Sequence, residues 1–366
     1  MGGMRERVRR SVDRMVESGA ERGVQVAVYR HGEPVVDVVA GVADPATGRA
    51  VTPATVFYNY SIGKSAASAL VHLLAERGAF GYDTPVAELW PEFGARGKEK
   101  VTVRQVLTHS AGVPGLPLDT TREALCDWER MCAVIADAEP WWVPGTAVGY
   151  HAYTFGYMVG EIVRRVTGRP LARVLREELT GPLGVADELY FGMPVSEHGR
   201  LAPLEDAPGA AEMLAGLPEE LPMFRAGPKC TFPTAELGNR TDILEADIPA
   251  GGKTSARAMA RLYAALLGDV PGVRLVSPAR LREITSVAAS GTDRIYGNES
   301  TWGLGFALGL PDGSGREAGV FGMGGAGGSY TFGDVSTGLA FAMTKNRLSP
   351  DFSAVTEVIG IVTAEA

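Results

Sequence analysis

Cysteine is scarce in this chain: Cys126, Cys132 and Cys230 are the whole complement among 366 residues. Their odd number and lack of metal-ligand spacing argue against a disulfide framework or a zinc cluster. Histidine is sparse too. His31, His72, His109, His151 and His198 include no H-E-x-x-H pattern and no facing pair, so no metal site is expected. Apolar runs of the roughly 20 residues that a membrane span needs are missing. The opening stretch from Met4 to Val12 reads as an amphipathic helix without the apolar core of a signal peptide, which points to a cytoplasmic location. Positive charge is outweighed, with 35 Lys and Arg against 43 Asp and Glu and a net charge of −8. That balance argues against nucleic acid or an anionic membrane as partner.

Two glycine-rich stretches imitate nucleotide-binding motifs, and neither qualifies. Gly322-Met323-Gly324-Gly325-Ala326-Gly327-Gly328 fits G-x-G-x-x-G, but Ser329 to Asp334 reads as strand and turn where the fingerprint needs a helix. Glycines along a strand edge let another backbone or a ligand come close, so an oxyanion hole or a substrate-binding edge is the preferred reading. Gly251-Gly252-Lys253-Thr254 echoes the end of a P-loop, yet the required first glycine falls on Asp247. It reads better as the start of a helix capped by Thr254 or Ser255. No cofactor is expected.

What is present is an ordinary globular composition, 45% hydrophobic and 21% charged, long enough for a substantial core in one complex domain or two. Val24–Tyr29 and Pro34–Gly41 are β-branched runs across a His31-Gly32 turn and predict a hairpin. From Leu70 to about Leu183 the pattern is mostly helical, including a short helix before Gly112 and a longer one over Tyr153–Thr167. Residues 192–250 are rich in Pro, Gly, Ala and Glu and read as long surface connections, with part of a pocket wall among them. Helix returns at Ser255–Leu267. Strands are expected at Trp302–Leu308, Glu317–Phe321, Ser329–Phe332 and Leu339–Thr344, before a final helix over Asp351–Thr363. Hairpins and helices at both ends around a helical middle suggest one sheet assembled from both ends.

The stretch Tyr58-Asn59-Tyr60-Ser61-Ile62-Gly63-Lys64-Ser65 carries the strongest chemical signal. Small and apolar residues run from Ser65 to Glu76, so Ser61 falls at a junction into a buried helix, with Lys64 one turn on. Residues three apart on a helix are neighbours, roughly 5–6 Å between Cβ atoms, which puts the Lys64 amine within reach of the Ser61 hydroxyl. Burial lowers a lysine pKa, and a neutral amine takes a serine proton. The helix N-terminus offers N–H groups to a developing oxyanion. The alternative is that Ser61 is only an N-cap.

Trp141-Trp142-Val143-Pro144-Gly145 leads to Tyr150, ahead of a helix that also holds Tyr153 and Tyr157. An aromatic cluster staking a loop and a binding site are equal readings here. A Tyr150 phenol near Lys64 would serve as a second proton carrier, its pKa lowered by the neighbouring cation.

Together these stretches resemble the class C β-lactamase and penicillin-binding-protein-like serine hydrolases, especially their esterase branch. The resemblance runs from the first hairpin to the last helix. Ser61-Ile62-Gly63-Lys64 matches the nucleophile motif. Leu107-Thr108-His109-Ser110-Ala111-Gly112-Val113-Pro114 is similar to the family's LLTHTSGLP segment, and Pro182-Leu183-Gly184 to its PLG element. Pro144-Gly145, Tyr150 and Gly160-Glu161 look like the stretch with the catalytic tyrosine. Two departures stand out: Tyr150-His151-Ala152 lacks the Asn of Tyr-x-Asn, and Met323-Gly324-Gly325 replaces the Lys-Thr-Gly or His-x-Gly triplet. A thioether holds no substrate carboxylate.

The resemblance implies an α+β fold, an antiparallel β-sheet flanked by helices of the β-lactamase/transpeptidase-like kind, beside an all-helical domain. It divides the chain into an α/β sandwich of residues 1–76 and 250–366 and a mostly helical domain of 77–249. It implies Ser61, Lys64 and Tyr150 as catalytic residues and the backbone N–H groups of Ser61 and Ala326 as oxyanion hole. Met323, Gly325, Trp141, Trp142 and Trp302 are the expected substrate-binding residues. The expected activity is hydrolysis of small neutral esters or amides through a Ser61 acyl-enzyme. An acyltransferase that passes the acyl group to an amine or alcohol, or a non-catalytic binding protein with the same cleft, are the alternatives.

Overall fold

The computed structural model describes residues 2–316, 319–349 and 351–365. Its centre is an antiparallel sheet whose strands are β1 (Gly23–Arg30), β2 (Glu33–Asp44), β3 (Arg49–Ala50), β4 (Ala289–Thr292), β5 (Glu299–Trp302), β6 (Ala307–Leu308), β7 (Val320–Gly324), β8 (Tyr330–Asp334) and β9 (Leu339–Lys345). In space the order is β3-β2-β1-β9-β8-β7-β6-β5-β4, so the two ends of the chain meet where β1 pairs with β9. The β1–β2 turn is made by His31 and Gly32, both at positive φ (47° and 80°), the geometry whose twist suits a two-residue hairpin.

Alternation along β1 decides which layer each side chain joins. Val24, Val26 and Val28 pack with Val8 and Val12 of the first helix (Gly2–Glu17) and Val358 and Val362 of the last (Ser353–Thr363). Ala27 and Tyr29 face the opposite layer, where the helices Gly63–Glu76 and Ala256–Leu267 lie in the main core. Strands buried on both faces read as continuous apolar runs, which is how Leu339–Met343 reads.

The architecture is the expected α+β one, with differences in detail. The run expected as one strand over Trp302–Leu308 is two, β5 and β6, joined through a tight turn. Gly305 there has φ +80° and lies so close to Ser68 that a Cβ would stand 2.3 Å from its Oγ, so only glycine fits. Of the strand expected at Glu317–Phe321, residues 317 and 318 lie outside the described residues, and β7 begins at Val320. Residues 77–249 are not purely helical. Leu189–Tyr190 and Leu201–Ala202 form short strands in a small sheet with Val56–Tyr58 and Lys253–Thr254. Lys253 and Thr254 are therefore strand rather than helix start, and the helix is capped by Ser255, whose Oγ accepts the Ala258 N–H at 3.1 Å. Short helices at Ala210–Ala215, Pro222–Ala226 and Ala235–Gly238 give the 192–250 connection more local structure than its composition suggests.

Candidate active site

The strand Val56–Tyr58 delivers the chain to a single 3-10 turn, Tyr60–Ile62, which runs straight into the helix Gly63–Glu76. Tyr60, immediately before Ser61, sits at φ 45°, a left-handed conformation uncommon for a side-chain-bearing residue. Its backbone is held there by neighbours: Gly252 N–H donates to the Tyr60 carbonyl at 2.9 Å, and Asn59 N–H donates to the Gly252 carbonyl at 2.8 Å. The close approach is made by glycines on both sides, since a Cβ on Gly63 would lie 2.4 Å from the Gly252 nitrogen. Strain of this sort persists where surroundings over-determine it, and it marks functional turns. The side chain of Asn59 locks the same corner. Its amide donates to the carbonyls of Phe57 and Thr254, and its oxygen accepts from Ser329 Oγ at 2.9 Å.

Lys64 is fully buried, and its Nζ lies 3.0 Å from Ser61 Oγ and 3.4 Å from the Ala250 carbonyl oxygen. No carboxylate pairs with it among the described residues, and burial brings its pKa down to about 7. Nζ also stands over the Tyr150 ring, 5.0 Å from the centroid. The Tyr150 phenol behaves differently from expectation. Burial raises its pKa, and interaction with the Ser61 hydroxyl only partly opposes the rise. The Lys64 amine is not among the groups that act on it, so Tyr150 stays a protonated phenol.

A cleft of about 560 Å³ opens onto these groups, with Ser61, Tyr150, Trp302, Gly325 and Ala326 in its wall. Gly325 belongs there for a backbone reason: a Cβ would be 2.3 Å from the Asn59 carbonyl oxygen, so glycine lets the end of β7 close against the Ser61 turn. The Ala326 N–H has no hydrogen-bond acceptor among the described residues. Residues 210–234 supply much of the opposite wall, including Met213, Leu217, Met223 and Phe232. The charged residues of the described lining are Asp206, Asp293 and Asp351, with no lysine or arginine among them.

Three expected binding residues are elsewhere. Met323 is buried in a small cluster with Val148 and Trp302 and does not line the cleft, because the alternation of β7 turns it under the Trp302 ring. Trp142 is buried, donates from Nε1 to the Ser110 carbonyl at 3.3 Å, and packs so tightly on Gly149 that a Cβ there would lie 2.6 Å from its ring. It stakes the loop before Tyr150. Trp141 is partly exposed on a separate shallow groove formed with Gly115, Pro117 and Pro140, under the Arg225 guanidinium.

The histidines also need correction, for His109 and His151 do face each other, with ring centroids 5.7 Å apart. His109 Nδ1 accepts the His151 backbone N–H at 3.0 Å, and His151 Nε2 accepts the Val113 N–H at 3.1 Å. A neutral imidazole has one acceptor nitrogen, so neither ring keeps a lone pair for a metal. Burial pushes both pKa values down, that of His151 to about 3. His109 is itself at φ 56° and packs 4.7 Å from the Tyr150 ring, so it serves as a rigid floor beneath the phenol.

The chain is similar along nearly its whole length to proteins of known family and fold. The protein-family model described as Beta-lactamase matches residues 8–363. Esterase/beta-lactamase LipL of Mycobacterium tuberculosis is 35% identical over 343 residues, covering 89% of this chain and 77% of that protein. Esterase EstB of Burkholderia gladioli is 27% identical, covering 88% and 86%. The solved structure of a family VIII carboxylesterase superposes with a TM-score of 0.90 at 30% identity, covering 99% of this chain and 97% of its own. The shared fold, the match across nearly the whole length and the identity to LipL make this chain a member of the beta-lactamase family.

Proposed function

We propose that the protein is a serine hydrolase of small neutral esters that works through a Ser61 acyl-enzyme. The observation that carries this reading is the buried, near-neutral Lys64 amine 3.0 Å from Ser61 Oγ at the mouth of an apolar cleft. Lys64 Nζ takes the hydroxyl proton as Ser61 Oγ bonds to the substrate carbonyl carbon. The oxyanion that forms is held by the N–H groups of Ser61 and Ala326. As the tetrahedral species collapses, the ester C–O bond breaks, and the alkoxide leaves with a proton supplied by the Lys64 ammonium through the Tyr150 phenol. Water then adds to the acyl carbon, gives up its proton along the same route, and releases the carboxylic acid with Ser61 restored. Relatives described as esterases and a carboxylesterase support the ester as substrate class.

Labelling with a fluorophosphonate, read by intact mass and peptide mapping, tests the reading. One adduct on the Ser61 peptide, and none in Ser61→Ala, is the expected result, together with a loss of nitrophenyl butyrate turnover by several orders of magnitude. A well-folded Ser61→Ala protein that still turns over the ester would overturn the assignment.

A further inference from the structure

The proposed chemistry needs the Tyr150 phenol held at Ser61 and Lys64, yet Tyr150 precedes the helix Thr154–Thr167 in a stretch with no regular secondary structure. Helical hydrogen bonds therefore do not fix it. The packing beneath it comes from His109 and Trp302, whose rings lie 4.7 and 5.9 Å from the phenol ring. Packing limits the ring's tilt, and the chain on either side is tied to His109, whose carbonyl and Nδ1 accept the Gly149 and His151 N–H groups at 3.1 and 3.0 Å. The Tyr150 N–H between them needs an anchor of its own.

That anchor comes from the far end of the sequence. Asp293 is buried (3% exposed) between β4 and β5, and its Oδ2 accepts the Tyr150 N–H at 2.9 Å. Its Oδ1 accepts the N–H groups of Ile295 and Tyr296 at 2.8 and 3.0 Å. A second strand of contact runs beside it, where Arg294 N–H donates to the Val148 carbonyl at 2.9 Å. The one carboxylate thus folds the 293–296 turn around Oδ1 and clamps Tyr150 with Oδ2. Ile295 and Tyr296 from that turn also line the cleft, and the Tyr296 ring lies 5.9 Å from that of Tyr150. A carboxylate that accepts several backbone N–H bonds is among the stronger hydrogen-bonding arrangements in proteins.

We propose that Asp293 is a positioning residue for Tyr150, setting the place of the phenol through the Tyr150 N–H and coupling it to the cleft wall at Ile295 and Tyr296. The inference rests on the functional reading above, since it gives Asp293 no role except through Tyr150. The negative charge acts in the same sense. The groups facing the phenol are the Ser61 hydroxyl, the Lys64 amine, the His109 and Trp302 rings, the Tyr296 phenol and Asp293. Among them the Asp293 charge favours the protonated phenol.

Asparagine isolates the effect. In Asp293→Asn the side chain keeps one acceptor oxygen, which suffices for Ile295 and Tyr296 but turns an amide N–H against the Tyr150 N–H. A shift of about an ångström in a group near the chemistry costs on the order of a hundredfold in rate. The test is a double-mutant cycle on kcat for nitrophenyl butyrate, with melting temperature measured on every protein. Asp293→Asn should lower kcat by about tenfold or more in the wild-type background and have little further effect in Tyr150→Phe, while its change in melting temperature is the same in both. An Asp293→Asn loss that persists in full on Tyr150→Phe would overturn the proposal and leave Asp293 merely structural. So would wild-type kcat in a folded Asp293→Asn protein. If Tyr150→Phe is itself fully active, the functional reading fails instead, and the two failures are told apart. Should Asp293→Asn not fold, Asp293→Ser, which also keeps one acceptor, runs the same cycle.

Discussion

Lys64 Nζ stands 3.0 Å from Ser61 Oγ and 5.0 Å from the centroid of the Tyr150 ring, with no carboxylate among the described residues to hold its proton. The amine thus touches both partners of a proton transfer while burial holds it near neutrality. Three other buried lysines provide a contrast. Lys98 and Lys253 each donate to three backbone carbonyls, and Lys345 pairs with Glu21, so each has the acceptors a structural ammonium needs. Lys64 has the Ala250 carbonyl at a long 3.4 Å and a hydroxyl that is itself a donor. Its environment suits a base better than a cation.

A pH dependence follows. With its pKa near 7, Lys64 is increasingly ammonium below pH 7 and cannot take the Ser61 proton, so kcat/KM should climb through an acid limb centred close to that value. The stability consequence has a definite sign. An unfolded lysine titrates near about 10.4, so between about pH 7 and pH 10 the unfolded chain binds more protons than the folded one. This group's contribution to stability therefore increases as pH rises through that window. Lys64→Met removes the buried amine and should raise the melting temperature by about a few degrees at pH 7 while abolishing turnover. Its advantage over wild type should shrink toward pH 10. A variant that is less stable at pH 7, or a wild-type rate independent of pH between 5 and 9, would contradict the assignment.

The tyrosines divide by what their hydroxyls touch. Tyr153 donates to the Thr231 carbonyl and Tyr157 to the Leu125 carbonyl, at 2.6 Å in the second case, so both phenols brace loops. The Tyr150 hydroxyl makes no such bond to a loop carbonyl among the described residues, and Tyr150 lines the cleft together with Ser61. Tyr150→Phe should lose about a hundredfold or more in kcat with little change in melting temperature. Tyr157→Phe should keep most of its kcat and lose about 1 kcal/mol of stability through the carbonyl left unpaired. Denaturant unfolding beside steady-state kinetics separates the two classes. A severe kinetic defect in Tyr157→Phe would move the proton carrier.

Much of this was legible in the sequence because local rules act there. The spacing of Ser61 and Lys64 on a buried helix, the His31-Gly32 hairpin and the apolar strands all follow from short-range periodicity and turn chemistry. What was not legible depends on residues far apart in the chain. Asp293 reaches Tyr150 across 143 positions, and no motif links them. Met323 lies beside the glycines of a strand edge, but whether it faces the cleft depends on the pleat of β7 relative to Trp302, which a triplet does not reveal. Trp141 and Trp142 are adjacent in sequence and diverge in space, one on an outer groove and one under the Tyr150 loop. Burial likewise reversed the expected direction for the Tyr150 phenol.

The displacement of Met323 from the cleft changes how charge selectivity should be tested. A lysine at position 323 would be buried beside Val148 and Trp302 and would report a folding defect rather than a binding preference. The basis for selectivity lies in the wall itself, where Asp206, Asp293 and Asp351 meet no lysine or arginine among the described lining residues. A substrate carboxylate entering there gains no ion pair and meets like charge. The wild-type protein should therefore prefer nitrophenyl butyrate to nitrocefin, which carries a carboxylate beside its β-lactam ring. Asn298 offers a clean place to add a cation, because it lines the cleft and is exposed, so a lysine there keeps its ammonium in water. Asn298→Lys should raise kcat/KM for nitrocefin relative to nitrophenyl butyrate by about three- to tenfold at low salt, the scale of a partly screened ion pair. The gain should fade as sodium chloride approaches about 1 M, where the screening length is only about 3 Å. A wild type that prefers nitrocefin, or an Asn298→Lys ratio unmoved at low salt, would show that something other than the charge of the wall sets the preference.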